Sequence, residues 1–408
     1  MKGPALWIAW KGLQQHALST WIAAVSIALA GGLLMSVWTL RTEAENTFTR
    51  SNCGFDAVLG PRGSKLQLVL NSIFHMEASP GLIPQSTEDK IKRHPHPMIR
   101  TAIKQMIPIA VGDNYLGYRL VGTSKELFTE HEISEGQKFE LAGEGALFQE
   151  DAQEAVAGSF AAEKLGLKIG DTFQPYHGLN YIEGTQHKDV YTLTGILKET
   201  STPADRVIWI PIKGIQTMDG HQESKQNDVS AFLIKLRSKT AIVSLDPYFN
   251  ILGKEYTFAS ITPVMARFFE KFSWFEKILE LVAYLVGFAA SGSILAILYN
   301  IMNEKRREIA ILRSLGARRS TLMFMVIFQS TGIAFLGVIL SFAFYTIVAQ
   351  VAESIVRDQT GVVLDLFSYQ PVFLWVPGGM LLLGVVSGLL PAIVAYQTEV
   401  SRNLAPSS

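Results

Sequence analysis

The chain has 408 residues, and its 36 Lys and Arg balance 36 Asp and Glu, so no global charge points to nucleic acid. A single cysteine, Cys53, excludes a disulfide framework within one chain. A hydrophobic fraction of 48% beside 18% charged residues suggests a membrane anchor joined to a large water-soluble part.

Residues 1–17 read as a cytoplasmic interfacial helix, with Trp7 and Trp10 at headgroup level and Lys2 and Lys11 toward water. The first apolar run long enough to cross a bilayer is Leu18–Leu40, assigned to a transmembrane helix over 18–41. Ala28–Gly32 (ALAGG) resembles the small-residue cleavage site of a signal peptide. The apolar run continues well past Gly32, and Leu6, Trp7, Trp10 and Leu13 form an amphipathic pattern before it, so a retained helix is expected.

Residues 42–275 are mixed, charged and punctuated by Gly and Pro, long enough for a domain of their own. They open as a polar helical continuation that turns into a strand near Phe55–Leu59. Gly60-Pro61-Arg62-Gly63 reads as a turn, and Leu66, Val69, Leu70 and Ile73 then form a helical apolar stripe. The stripe is read as a domain-entry helix packed on its own core, against the alternative of a partner-facing element. Ala155–Gly158 is strand-like, Ser159 is an N-cap candidate for Phe160–Leu165, and Gly166 is a stop. Lys168-Ile169-Gly170-Asp171 is turn chemistry, and Val190–Leu197 and Val229–Leu236 read as strands. The expected insert is α+β. Ile261–Leu279 then returns as a helix carrying Phe268, Phe269, Phe272, Trp274 and Phe275, and with the helix leaving the first span it would form a stalk.

Three further apolar runs follow: Leu281–Met302, Thr321–Val348 and Val372–Val394, assigned to transmembrane helices over 276–302, 320–350 and 372–396. The 303–319 loop between the first two holds six Lys or Arg, whereas 351–371 holds one, Arg357, beside Glu353, Asp358 and Asp365. The basic loop belongs in the cytosol. Both termini, including the 397–408 tail, are then cytosolic and the insert lies outside. The expected fold class is thus an α-helical membrane protein with four transmembrane helices (1 + 3) and an α+β extracytoplasmic domain between the first and second.

No charged residue sits mid-span, which argues against an ion or proton relay. Gly31, Gly32, Gly287, Gly292, Gly378, Gly379, Gly384 and Gly388 suit close helix approach and dimer contacts. Ser26, Ala30, Leu33, Ala289 and Gly292 are the expected dimer interface.

The sequence holds no Gly-x-x-x-x-Gly-Lys-[Ser/Thr], His-Glu-x-x-His, Cys-x-x-Cys or Gly-x-Ser-x-Gly motif, so no catalytic residue is expected. His94 and His96, with His75 and Glu77 upstream, could supply zinc ligands. The prolines around His94 and His96 favour an extended surface segment instead, so no metal site is expected. Cys53 is read as a buried or tolerated thiol rather than a lipidation site, an interchain bridge being the alternative.

The 303–319 loop is more than a topology signal. Ile309, Leu312 and Leu315 line one face of a short helix, Lys305, Arg306, Arg307 and Arg313 keep the other polar, and Gly316 sits where the helix would end. This stretch, NEKRREIAILRSLGARRSTL, resembles the cytoplasmic segment of the FtsX-like permease domain of MacB-type (type VII) ABC transporters. Glu154–Asp171 resembles a strand–helix–turn of that family's extracytoplasmic domain, and Gly388–Ala395 the end of its last span.

The resemblance implies a permease subunit of the MacB/LolC/FtsX type in the cell inner membrane, with its large domain in the periplasm. A separate cytosolic ATPase dimer would bind ATP and Mg, leaving this chain without a cofactor. Glu304, Lys305, Arg306, Arg307, Glu308, Ile309, Leu312, Arg313, Leu315 and Gly316 would form the coupling helix docking on that ATPase. Two permease copies would pair, and ATP hydrolysis would move the stalk and outer domain (mechanotransmission) to export or extract a periplasmic or membrane substrate. A periplasmic adaptor, substrate-binding or outer-membrane protein is a further implied partner. The alternative is a non-transporting regulator that activates a periplasmic partner such as a cell-wall hydrolase.

Overall fold

The computed structural model describes residues 2–50, 52–134, 136–218, 227–304, 311, 313–314 and 316–397. They fall into a helical unit (Met1–Glu43, Phe272–Glu353, Asp365–Ser408) and a second unit (Ala44–Lys271, Ser354–Leu364).

In the helical unit, Lys2–Gln15 forms a helix, and a turn at His16 separates it from Ala17–Arg50. Thr20 Oγ1 donates to the Leu13 carbonyl at 3.3 Å across that turn. Among the described residues four helices are long and apolar enough to cross a membrane: Ala17–Phe48, Ile261–Glu304, Arg319–Thr360 and Val372–Val394. They follow the 1 + 3 order.

Glycines set the packing between spans. A Cβ on Gly32 would lie 2.5 Å from Phe344 Cδ1 and 3.0 Å from the Ser341 carbonyl oxygen, and one on Gly384 would lie 2.4 Å from Ala334 Cβ. Only a bare Cα allows those approaches. Gly292, Gly378 and Gly379 by contrast face open space. Ser291 Oγ and Ser387 Oγ share a hydrogen bond of 2.5 Å, and Trp38 meets Trp375 edge-on at 5.7 Å. Arg41 pairs with Glu276 at 2.9 Å, and the Tyr345 hydroxyl donates to the Leu366 carbonyl.

The third span departs from expectation. Its helix runs on to Thr360, so Glu353, Arg357 and Asp358 lie on the helix rather than in a 351–371 loop. Hydropathy marks where the apolar stretch stops, not where the helix does. The stop is Gly361, at φ +73°, whose N–H donates to the Arg357 carbonyl at 2.9 Å.

The second unit is α+β. Its strands are β1 (Ala57–Pro61), β2 (Ile83–Pro84), β3 (Ile103–Tyr115), β4 (Tyr118–Thr123), β5 (Glu154–Ala157), β6 (Thr172–Phe173), β7 (Tyr176–His177), β8 (Tyr191–Ile196), β9 (Ile208–Pro211), β10 (Asp228–Val229), β11 (Ala231–Leu236) and β12 (Tyr256–Ser260). The main sheet runs β12-β1-β11-β3-β4-β9-β5-β8-β6, with β7 added along the end of β3, while β10 and β2 form a separate pair. The β4–β9 and β5–β8 pairs are parallel and the others antiparallel.

Both faces of the sheet are covered. Ala57, Leu59, Ile208, Ile210, Phe232 and Ile234 enter one buried cluster, while Val58, Val207, Trp209 and Leu233 enter the other. Alternate residues of one strand thus feed two cores, which is why these strands read as nearly continuous apolar runs. Phe48 and Phe268 and Phe269 pack on the second core, with Phe48 5.2 Å from Phe74 and 5.9 Å from Phe269.

The Leu66–Ile73 stripe is the entry helix it was read as. Lys65–Ser72 is helical, Ser64 caps it by accepting from Gln67 N–H at 3.3 Å, and Leu68, Val69 and Ile73 are buried in the second core. Ser159, however, is not the N-cap. The helix Ser159–Leu165 takes Gly158 as its cap, a position where a Cβ would lie 2.3 Å from the Asp205 carbonyl oxygen. Gly166 ends the helix in the left-handed region, as expected.

Candidate functional site

Most of the expected coupling helix lies outside the described residues: Lys305, Arg306, Arg307, Glu308, Ile309, Leu312 and Leu315. Of the rest, Glu304 ends the second span's helix, 3.5 Å from His16 Nε2. Gly316 has φ +94°, and its N–H donates to the Arg313 carbonyl at 3.0 Å, the geometry of a chain leaving a helical turn.

The expected dimer residues divide between the two spans that carry them. Ala30 is fully buried within the chain's own helices, and Ser26 and Leu33 are half-buried. Ala289 and Gly292 are exposed, on a face that also shows Leu281, Leu285 and Phe288. The small residues of the first span therefore serve packing within the chain, while Ala289 and Gly292 of the second stay open, as do Gly378 and Gly379 of the fourth.

Sequence reasoning missed a charged cluster around Phe160. Lys164 Nζ sits 3.0 Å from Asp358 Oδ1, Arg206 Nε donates to the Asp358 carbonyl at 3.0 Å, and Arg357 Nη2 donates to Glu199 Oε1 at 3.0 Å. Lys164 and Arg357 also lie over the Phe160 ring, 5.3 and 5.5 Å from its centroid. The end of the third span's helix is thereby tied to the helix Ser159–Leu165, inside the Glu154–Asp171 stretch that carried part of the resemblance.

Two histidines are buried neutral. Burial, reinforced by Arg119 and Arg206, holds His75 down at about 3, and its ring meets Trp209 edge-on at 5.7 Å. Burial holds His131 at about 4, against the opposing hydrogen bond to the Cys53 carbonyl. Burial likewise pushes the Cys53 thiol up to about 11, so it is an inert core thiol, as its reading as a buried thiol expects.

The histidines singled out for zinc do not assemble. Tyr248 Oη lies 3.0 Å from His94 Nε2, and His94 Nδ1 accepts from the His96 N–H at 3.1 Å, whereas His75 packs on Trp209. Among the described residues the side chains placed to share an ion are instead Asp113, His177 and His187.

Two family models match the chain. Residues 20–246 match the MacB-like periplasmic core domain, and residues 280–400 match the FtsX-like permease C-terminal domain. The chain belongs to the MacB/FtsX-type ABC transporter permeases. The periplasmic core model takes in most of the first span and the α+β unit as far as residue 246, short of β12, and the permease model covers the later part of the second span's helix and the two spans that follow. Neither model is an ATPase domain, and no curated protein matches the permease. As a membrane permease of this family, it works with an ABC ATPase.

Proposed function

We propose that this permease couples ATP hydrolysis by a separate cytosolic ATPase dimer to movement of its periplasmic domain, and so exports or extracts a periplasmic or inner-membrane substrate. The observation that carries the reading is helix continuity. Ala17–Arg50 and Ile261–Glu304 run unbroken from their apolar windows to Phe48 and to Phe268 and Phe269, which close the second core of the α+β unit. A 44-residue helix extends about 66 Å at 1.5 Å per residue, twice the hydrocarbon thickness of a bilayer. Such a helix suits transmission of a displacement. The absence of charges within the spans favours this over conduction of an ion or solute along a polar pore.

The docking element is 303–319, with Glu304–Gly316 meeting the ATPase. Two permease copies pair, with Ala289 and Gly292 of the second span at the two-fold axis. The cofactors, ATP and Mg, reside in the ATPase.

The test is Glu308→Lys combined with Leu312→Asp in the full-length permease. The variant inserts and folds normally but loses ATPase co-purification and permease-stimulated ATP hydrolysis. Unchanged ATPase binding by the folded variant rules out the docking role.

A further inference from the structure

β3 is bulged between Val111 and Asp113, and the shift re-aims the residues that follow. Asp113 then stands directly opposite His177 in the β3–β7 pairing. The chain loops back through Gly178 and Gly184, both at positive φ, and the loop is closed by the His177 N–H donating to the Thr185 carbonyl at 2.8 Å. The His187 N–H donates to the Pro175 carbonyl at 2.8 Å, which brings His187 to the same carboxylate. Asn114 Nδ2 clamps the loop by donating to the Gly178 carbonyl at 2.9 Å. A side chain of β3 and two from a loop more than sixty residues later are thus held around one point.

His187 Nε2 lies 3.3 Å from Asp113 Oδ1, and His177 Nδ1 lies 3.6 Å from the same oxygen. All three ligand atoms lie within 4.8 Å of one another. A charge-assisted N–H···O bond spans about 2.7–2.9 Å. Two ligands about 2.0–2.1 Å from a tetrahedral zinc ion are about 3.3–3.4 Å apart. The 3.3 Å edge is also a long His187–Asp113 hydrogen bond, but both edges stand nearer the second spacing than the first. Rotation of the exposed His177 ring, 57% accessible, adjusts the third edge, while Asp113 and His187 are buried and fixed. Gly178 N–H donates to Asp113 Oδ1 at 3.2 Å, orienting the carboxylate from outside the ligand set.

We propose that Asp113, His177 and His187 bind a divalent transition-metal ion, with zinc the best match and a fourth coordination position open to water or to a ligand brought by a partner. Two imidazoles and one carboxylate select a borderline ion over magnesium or calcium, which take oxygen ligands. Closed structural zinc sites use four protein ligands, whereas three leave a position for exchange. The exposed His177 stands on the solvent side of the two buried ligands, so an ion can enter without the domain opening.

Full-length permease in detergent, stripped with a chelator, is titrated with zinc against a chromogenic chelator. The expected result is one tightly held ion per chain and at least a tenfold loss of affinity in His177→Ala. Because His177 is exposed, that variant keeps its fold, as circular dichroism checks, even where Asp113→Asn or His187→Ala does not. Cobalt(II) gives ligand-field bands in the wild type that His177→Ala alters. His94→Ala combined with His96→Ala leaves zinc binding unchanged. The proposal is overturned by absence of stoichiometric zinc, by wild-type affinity in folded His177→Ala, or by loss of the ion in the His94/His96 variant.

Discussion

Arg357 Nη2 donates to Glu199 Oε1 at 3.0 Å, joining the last turn of the third span's helix to the segment after β8. Both side chains are more than one-third exposed, so water screens the pair. A double-mutant cycle of Arg357→Ala and Glu199→Ala should give a coupling of about 0.2–1 kcal/mol in unfolding measurements. Strict additivity would mean the pair is not made in solution.

Membrane topology follows from the 1 + 3 span order and the basic 303–319 loop. Reporter fusions at Asp151 should be active outside the cytosol, and those at Arg313 or after Arg402 inside it. A cytosolic signal from Asp151 would overturn both the orientation and the ATPase-docking role of the basic loop.

Close helix approach at Gly32 leaves no room for a methyl group, since Phe344 Cδ1 would lie at 2.5 Å and the Ser341 carbonyl oxygen at 3.0 Å. Gly32→Ala should lower stability by about 1–3 kcal/mol, the usual range for overpacking. Gly292→Ala, with open space around it, should leave the thermal midpoint of the detergent-solubilised monomer unchanged. Equal midpoints for the two variants would refute the packing assigned to Gly32.

The proposed homodimer is tested by single cysteines in a Cys53→Ser background. Ala289→Cys and Gly292→Cys should cross-link between copies, whereas Ala30→Cys, buried within its own chain, should not. Cross-linking only to a different permease would make the complex a heterodimer.

Acid should destabilise the α+β unit. His75 and His131 are held at about 3 and about 4 in the folded state, below the ordinary value of 6.5. Between those limits the unfolded chain binds more protons than the folded one, so stability rises with pH. Their contribution is fully present above pH 6.5 and is lost as pH falls, by on the order of 1 kcal/mol per pH unit for each histidine. Unfolding midpoints at pH 7.5, 6 and 5 should fall in that order, and His131→Asn should shallow the dependence. An unchanged slope in His131→Asn would show that this group does not contribute.

Local pattern made several elements legible. The spans announced themselves by length and apolarity, the Ser64-capped helix by its stripe, and the end of Ser159–Leu165 by Gly166. Where a neighbour remote in sequence decides the outcome, local pattern misleads. The Asp205 carbonyl leaves room only for a glycine at the cap position 158, and the third span's helix outlasts its apolar residues while Arg357 and Asp358 find partners at Glu199 and Lys164. His94 and His96 lie two residues apart in sequence, yet the ring both meet is that of Tyr248.

By itself the sequence determined the membrane class and the span order, because hydropathy over some twenty residues acts locally. It also carried the family resemblance, through the basic stretch at 303–319. Only the tertiary structure decided that the glycines of the first span face their own bundle while Gly292 stays open. It alone brought Asp113 beside His177 and His187, because a β-bulge, a sheet register and a looped return must combine before those three side chains can meet.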